Sequence, residues 1–264
     1  MDAPSGGDRG WEGVPDAAVE VAPGAQPIGQ GRTALVYELG DGTVLRRYRN
    51  AGADARLEAA VMEHVRRHGI PVPRVHRASG RDIVMERVDG PTMLADILER
   101  PVRIREHAGV MAQLHRRLDG VPPHPGLPVV PGEPARLLHC DLHPGNIILT
   151  PSGPVLIDWS EARSGPAAVD VAATWLVVAC LEHPDPTVDA LLVPVRAALL
   201  EAFLGAVDDR DAAARILPDV ARARMADPVT TPQERERLAV LAAGTTDVGN
   251  VAGGAPGGGP RFEA

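Results

Sequence analysis

The feature that most restricts the fold of this chain is a short apolar hairpin with polar residues gathered at one end. His139-x-Asp141-x-x-x-x-Asn146 runs directly into Ile147-Ile148-Leu149. Pro151-Ser152-Gly153 then turns the chain, and Val155-Leu156-Ile157 leads into Asp158. Pairing these two strands brings Asp141, Asn146 and Asp158 to one end of a small sheet, facing the same space. The bland alternative is a loop whose Asp and Asn only cap turns. An Asp closing a buried strand at this distance argues against it.

The surrounding pattern changes character once. Residues 25–90 read as short strands around a single helix. Leu35-Val36-Tyr37 and Val44-Leu45-Arg46-Arg47-Tyr48 flank Gly40-Asp41-Gly42, a strong hairpin signal. Residues 54–68 carry Leu57, Val61 and Val65 at helical spacing and stop at Gly69, before Pro71. Ile83-Val84-Met85 is a further buried strand. Residues 91–243 are mostly helical, with one apolar stripe through Ile104, Ala108, Met111, Leu114 and Leu118 and another over residues 191–207. Residues 1–24 read as a loose leader and residues 244–264 as a disordered Gly/Ala/Pro tail. The expected fold is α+β and bilobal, a small β-rich lobe followed by a larger helical one, with a cleft between.

Composition narrows the function. All 27 basic residues are arginine, and the net charge is −8, which gives no support to a nucleic-acid partner. Cys140 and Cys180 have neither metal-site spacing nor a disulfide framework, which suits a reducing cytoplasm. The first thirty residues lack the apolar core of a signal peptide, and the apolar run at residues 171–181 is too short to span a bilayer. A cytoplasmic location without membrane contact is therefore expected.

Three oxygen-bearing side chains at one sheet end suit phosphoryl transfer from ATP. Asp141 suits the carboxylate that orients the attacking hydroxyl and accepts its proton. The Asn146 amide oxygen and the Asp158 carboxylate suit hard ligands for Mg²⁺ against the phosphates.

The run Leu138-His139-Cys140-Asp141-Leu142-His143-Pro144-Gly145-Asn146-Ile147-Ile148-Leu149, followed by Ile157-Asp158-Trp159, resembles the signature of the aminoglycoside phosphotransferase family. The likeness extends over residues 28–241. It implies a protein-kinase-like fold and transfer of the ATP γ-phosphate to a hydroxyl of a small molecule, either aminoglycoside-like or a metabolite. Gly29-Gln30-Gly31-Arg32-Thr33-Ala34-Leu35-Val36 then resembles the loop that covers the nucleotide, with Gly29 and Gly31 letting backbone N–H groups approach phosphate. Arg46 stands where a kinase places its lysine; Glu58 on the following helix is its expected partner, with Glu63 as the alternative. Glu86 and Val88 fall at the inter-lobe hinge, where their backbone groups would meet adenine. His143 either contacts the γ-phosphate or packs the loop. His139 organises the loop, Asp170 caps its helix or braces the loop, and His115 is read as a core histidine.

Only eleven residues separate Asp158 from Asp170, too few for the activation segment of a protein kinase, and Cys140 replaces the arginine that would read its phosphorylation. A nucleotide-binding pseudokinase acting as an interaction module is the alternative, suggested by Arg46 in place of lysine. For the acceptor, Asp185, Asp189, Asp208, Asp209 and Asp219 suggest attraction of a cation, or equally solvated helix ends.

Overall fold

The computed structural model describes residues 19–180, 185–228 and 230–244. Most of the expected leader and nearly all of the expected tail lie outside these residues. The first lobe is a five-stranded antiparallel sheet in the order β1-β2-β3-β5-β4. Its strands are β1 (Gly29–Gln30), β2 (Ala34–Gly40), β3 (Thr43–Tyr48), β4 (Val75–Ser79) and β5 (Asp82–Glu86). The β2–β3 turn runs through Gly40, Asp41 and Gly42, all at positive φ, a backbone that glycine adopts without steric cost.

Helix α1 (Arg56–Arg67) packs on this sheet with Ala59, Val61, Met62 and Val65 buried. Leu57, expected on the apolar stripe, is exposed instead, and the buried face takes in Glu58. The buried face is centred on positions 58, 62 and 65, which leaves position 57 at its edge. Strand β4, with its turn to β5, went unread in the sequence, because Val75-His76-Arg77-Ala78-Ser79 alternates weakly and follows a Pro-rich stretch.

The second lobe contains, among the described residues, α2 (Met93–Glu99), α3 (Ile104–Leu118), α4 (Ala167–Cys180), α5 (Pro186–Leu204), α6 (Arg210–Met225) and α7 (Pro232–Ala242). Two short ribbons interrupt them: β6 (Arg136–Leu138) with β9 (Arg163–Gly165), and β7 (Ile147–Thr150) with β8 (Gly153–Leu156). The α3 stripe is buried as expected, whereas on α5 only the C-terminal part packs, through Leu199, Leu200, Phe203 and Leu204; Leu191 is 70% exposed. Helix α4 is buried nearly all round, consistent with its unbroken apolar run. No helix among the described residues is long and apolar enough to cross a membrane.

The lobes meet at Gly90-Pro91. Leu149 N–H donates to the Pro91 carbonyl at 2.9 Å, and Thr92 bridges to Ile148, so the β7–β8 hairpin is fastened to the hinge. Gly90 has φ +154°, and a Cβ there would lie 2.1 Å from the Leu149 carbonyl oxygen. This close approach requires glycine.

Candidate active site

The hairpin and its two flanking loops form the floor of a cleft of about 620 Å³ between the lobes. Gly29, Gly31, Arg46, Glu86, Val88, Asn146 and Asp158, seven of the residues singled out from sequence, line it. Glu58 lies behind them, touching the cleft through Arg46.

The register explains the convergence. Ile147 pairs with Leu156, and Ile157 N–H donates to the Asn146 carbonyl at 2.9 Å, which sets Asn146 and Asp158 at the same end. Asn146 Nδ2 donates both to the Asp141 backbone carbonyl (2.9 Å) and to Asp141 Oδ2 (3.0 Å). With its NH₂ group engaged, its amide oxygen accepts no hydrogen bond from the described residues and remains available as a ligand. Asp158 Oδ1 accepts from Arg46 (2.5 Å) and from the Ser160 hydroxyl (2.8 Å), leaving Oδ2 open. One amide oxygen and one carboxylate oxygen facing a cleft fit Mg²⁺, which takes one or two protein oxygens and completes its shell with phosphate and water.

Burial, and then the nearby charge of Asp158, push the Asp141 carboxyl up from 3.8 to about 7, a value suited to accepting a proton near neutrality. His143 lies 3.7 Å from Asp141 Oδ2. Its Nδ1 accepts from Gly145 N–H at 3.0 Å, and burial lowers its pKa from 6.5 to about 4, so it is neutral at physiological pH.

His139 is fully buried. Its Nε2 meets the Ile157 carbonyl (3.1 Å), its Nδ1 accepts from Asp141 N–H (3.2 Å), and its ring packs on Trp159 at 4.6 Å. It therefore ties the Asp141 loop to the strand that delivers Asp158. Asp170 is in the first turn of α4, but it does not cap that helix; it reaches across to accept Cys140 N–H at 2.6 Å. Burial would raise the Asp170 carboxyl, yet His115 and the Cys140 N–H hold it below its ordinary 3.8. The contact with Asp170 makes His115 more than a packing residue. Its Nδ1 lies 3.4 Å from Asp170 Oδ2, and its Nε2 lies 3.1 Å from the Thr174 hydroxyl, which donates to the Leu142 carbonyl at 2.9 Å. Cys140 and Asp158 both sit at positive φ, near +60°, strained positions held by these bonds. Burial lifts the Cys140 thiol well above its usual value, the reverse of an activated nucleophile.

On β3, Arg46 is 6% exposed and bridges Glu58 (Nε to Oε2, 3.1 Å) and Asp158. Glu58 also accepts from the Tyr48 hydroxyl (2.6 Å) and from Trp159 N–H (3.1 Å). Burial acts to lower the Arg46 pKa, and the two carboxylates overcome it. Burial also pushes the Glu58 carboxyl up, against the pull of Arg46. Glu63, the alternative partner, instead pairs with Arg66 on its own helix (3.0 Å).

Sequence reasoning missed Tyr48, Thr174 and Arg32. Tyr48 lies two residues beyond Arg46 on the same strand face, and Thr174 lies one helical turn beyond Asp170; those spacings were the available signals. Arg32, in the glycine loop, reaches Glu234 in the first turn of α7 at 2.7 Å, a contact over 202 positions that no local pattern announces. Neither Gly29 nor Gly31 has positive φ, and a Cβ on either would meet protein atoms no nearer than 3.5 Å. Steric room within the chain therefore does not require glycine there.

The five acids read as possible cation attractors are mostly engaged elsewhere. Asp189 takes both Arg196 (2.7 Å) and Arg237 (2.5 Å), Asp219 takes Arg222 (2.5 Å), and Asp185 caps α5.

A small antiparallel lobe, a helical lobe and a carboxylate-bearing cleft between them define the protein-kinase-like fold. Within it, residues 24–128 and 99–216 match the phosphotransferase enzyme family, and the chain belongs to that family. A choline/ethanolamine kinase family protein from Mesorhizobium loti shares the fold at 15% identity and TM-score 0.54, over 87% of this chain and 92% of that one. An amicoumacin kinase, solved with AMP-PNP, Ca²⁺ and Ami, does so at 13% identity and TM-score 0.52, over 84% and 82%. Among curated proteins, a probable bifunctional tRNA threonylcarbamoyladenosine biosynthesis protein of Methanoculleus marisnigri is 28% identical over 58% of this chain and 28% of its own length. Thiamine kinase of Salmonella paratyphi B is 47% identical over 49 residues, 17% of this chain and 18% of that protein. The matched segments thus span less than a third of these curated relatives.

Proposed function

We propose that the chain transfers the γ-phosphoryl group of ATP to a hydroxyl of a small molecule. The acceptor oxygen bonds to the γ-phosphorus as the bond to the β,γ-bridging oxygen breaks. The hydroxyl proton passes to Asp141, and ADP leaves. The observation that carries this reading is the direct bond between Asn146 and the raised Asp141 carboxylate, at the floor of the cleft that Asp158 and Arg46 also line.

In this reading Asn146 and Asp158 hold Mg²⁺, which would neutralise charge on the phosphates. Arg46, oriented by Glu58, contacts the α- and β-phosphates through its guanidinium fork. Gly29 and Gly31 admit the phosphates under the β1–β2 loop. Adenine lies against the apolar side chains of Val36, Val44 and Ile157, with the Glu86 carbonyl and Val88 N–H at its polar edge. The Glu86 side chain accepts Arg74 N–H at 3.1 Å, which leaves only its backbone for such a role. His143, being neutral, acts by hydrogen bonding near the γ-phosphate rather than by charge. His139 and Asp170 hold the loop.

Arginine in place of lysine is the feature that favoured a pseudokinase. Arg46 makes the Glu58 contact expected of that position, so the substitution does not by itself argue for loss of catalysis. The test is coupled ADP release with Mg-ATP and a panel of hydroxylated acceptors, comparing wild type with Asp141→Ala. Acceptor-dependent release lost in the variant is expected. ATP binding without turnover of any acceptor by either protein would leave the interaction-module reading standing.

A further inference from the structure

A second cavity, of about 940 Å³, lies in the helical lobe between α4, α6 and residues 130–131. Cys140 and Glu161 line it. Asp141 follows Cys140 directly, and its carboxylate is bonded to Asn146, which lines the nucleotide cleft instead. The loop that carries the candidate base thus borders both cavities, through Cys140 on one side and Asn146 on the other. An acceptor hydroxyl must reach Asp141 from the side opposite the phosphates, because attack is in line with the leaving oxygen.

The chemistry of the lining then selects the acceptor. Its walls are Val130, Val169, Leu176, Val177, Ile216 and Val220. Its charged rim is internally balanced. Glu161 pairs with Arg163 at 3.6 Å, Asp219 with Arg222 at 2.5 Å, and Asp227 with Arg224 at 3.5 Å. No rim carboxylate is left over for a cation, and Arg215 on the same rim has no ion-pair partner among the described residues. A polycation there would lose hydration to apolar walls without gaining a counter-charge. An apolar body gains by burial in a cavity of this size.

Resting on the phosphotransferase reading above, we propose that this cavity is the acceptor site, and that the acceptor is a hydroxylated molecule with an apolar body. A polycationic amino-sugar is not its substrate.

The experiment is coupled ADP release by the full chain with two acceptor sets: hydroxylated macrolactones and alicyclic alcohols, and polycationic amino-sugars. Ala212→Trp and Ala223→Trp, both on the α6 face of the cavity, are measured beside wild type, with melting temperature as the check on folding. The expected result is turnover of an apolar acceptor whose KM rises about tenfold or more in a tryptophan variant that melts normally, with ATP affinity unchanged. Turnover of amino-sugars alone, or an apolar acceptor whose KM neither tryptophan moves, overturns the assignment while leaving the phosphotransferase reading intact. Bound Mg-ATP with no turnover of either set overturns both.

Discussion

Replacing Asp141 by asparagine is expected to slow transfer sharply and to stabilise the protein. The Asp141 carboxyl is pushed from 3.8 to about 7 by burial and by Asp158. The folded protein therefore binds this proton more tightly than the unfolded chain, and stability falls as pH rises between those two values. At about 1.4 kcal/mol for each tenfold change in proton affinity, the ionised side chain costs about 4 kcal/mol above neutrality. The Asp141 side chain is 23% exposed, so solvent screens part of that cost. A gain of about 2–4 kcal/mol for Asp141→Asn is expected at about pH 8, vanishing near about pH 4, where both side chains are neutral. The isosteric amide still accepts the Asn146 Nδ2 bond, so the loop is retained. Urea unfolding at the two pH values, in EDTA so that no divalent cation offsets the charge of Asp158, measures the difference. Acceptor-dependent turnover should fall by roughly 10²–10⁴, the usual worth of a general base. An equal change in stability at both pH values would refute the reasoning, because the effect would then not arise from the Asp141 charge.

Arg46→Met strands Glu58 in the core and should cost about 3 kcal/mol in denaturant titrations, with much of that recovered in the Arg46→Met/Glu58→Gln double variant. Gly90→Ala drives a Cβ toward the Leu149 carbonyl and should destabilise by about 1–3 kcal/mol, read by thermal unfolding. Asp170, held below 3.8, contributes stability that is present above that value and is lost as pH falls through its lower folded value. Asp170→Asn should therefore flatten the acid limb of the stability–pH curve, measured by circular dichroism. Arg32→Ala removes the tie from the glycine loop to Glu234 and should speed hydrogen exchange at residues 29–34 without altering exchange in α3.

Much of the candidate site is legible in the sequence because its parts are local. Asp141, Asn146 and Asp158 lie on one hairpin, whose period of two and tight turn dictate which end they share. The β2–β3 hairpin is legible for the same reason, through Gly40-Asp41-Gly42. Glu58 was inferred from the motif, and only its burial against Arg46, Tyr48 and Trp159 N–H distinguishes it from Glu63, five positions further along the same helix and paired with Arg66. The exposure of Leu57 and Leu191 follows from how each helix is rotated against its neighbours, which a stripe of apolar letters leaves open.

The sequence by itself determined a two-part α+β chain with a carboxylate–amide–carboxylate set at one hairpin end. Backbone pairing over a few residues suffices for that. Only the tertiary structure decided that Asp170, His115 and Thr174 lock the loop, that Arg32 crosses to α7, and that the Asp141 loop borders two cavities. The same packing gave Asp189 and Asp219 arginine partners. Such contacts join residues tens to hundreds of positions apart, and packing, rather than local spacing, selects them.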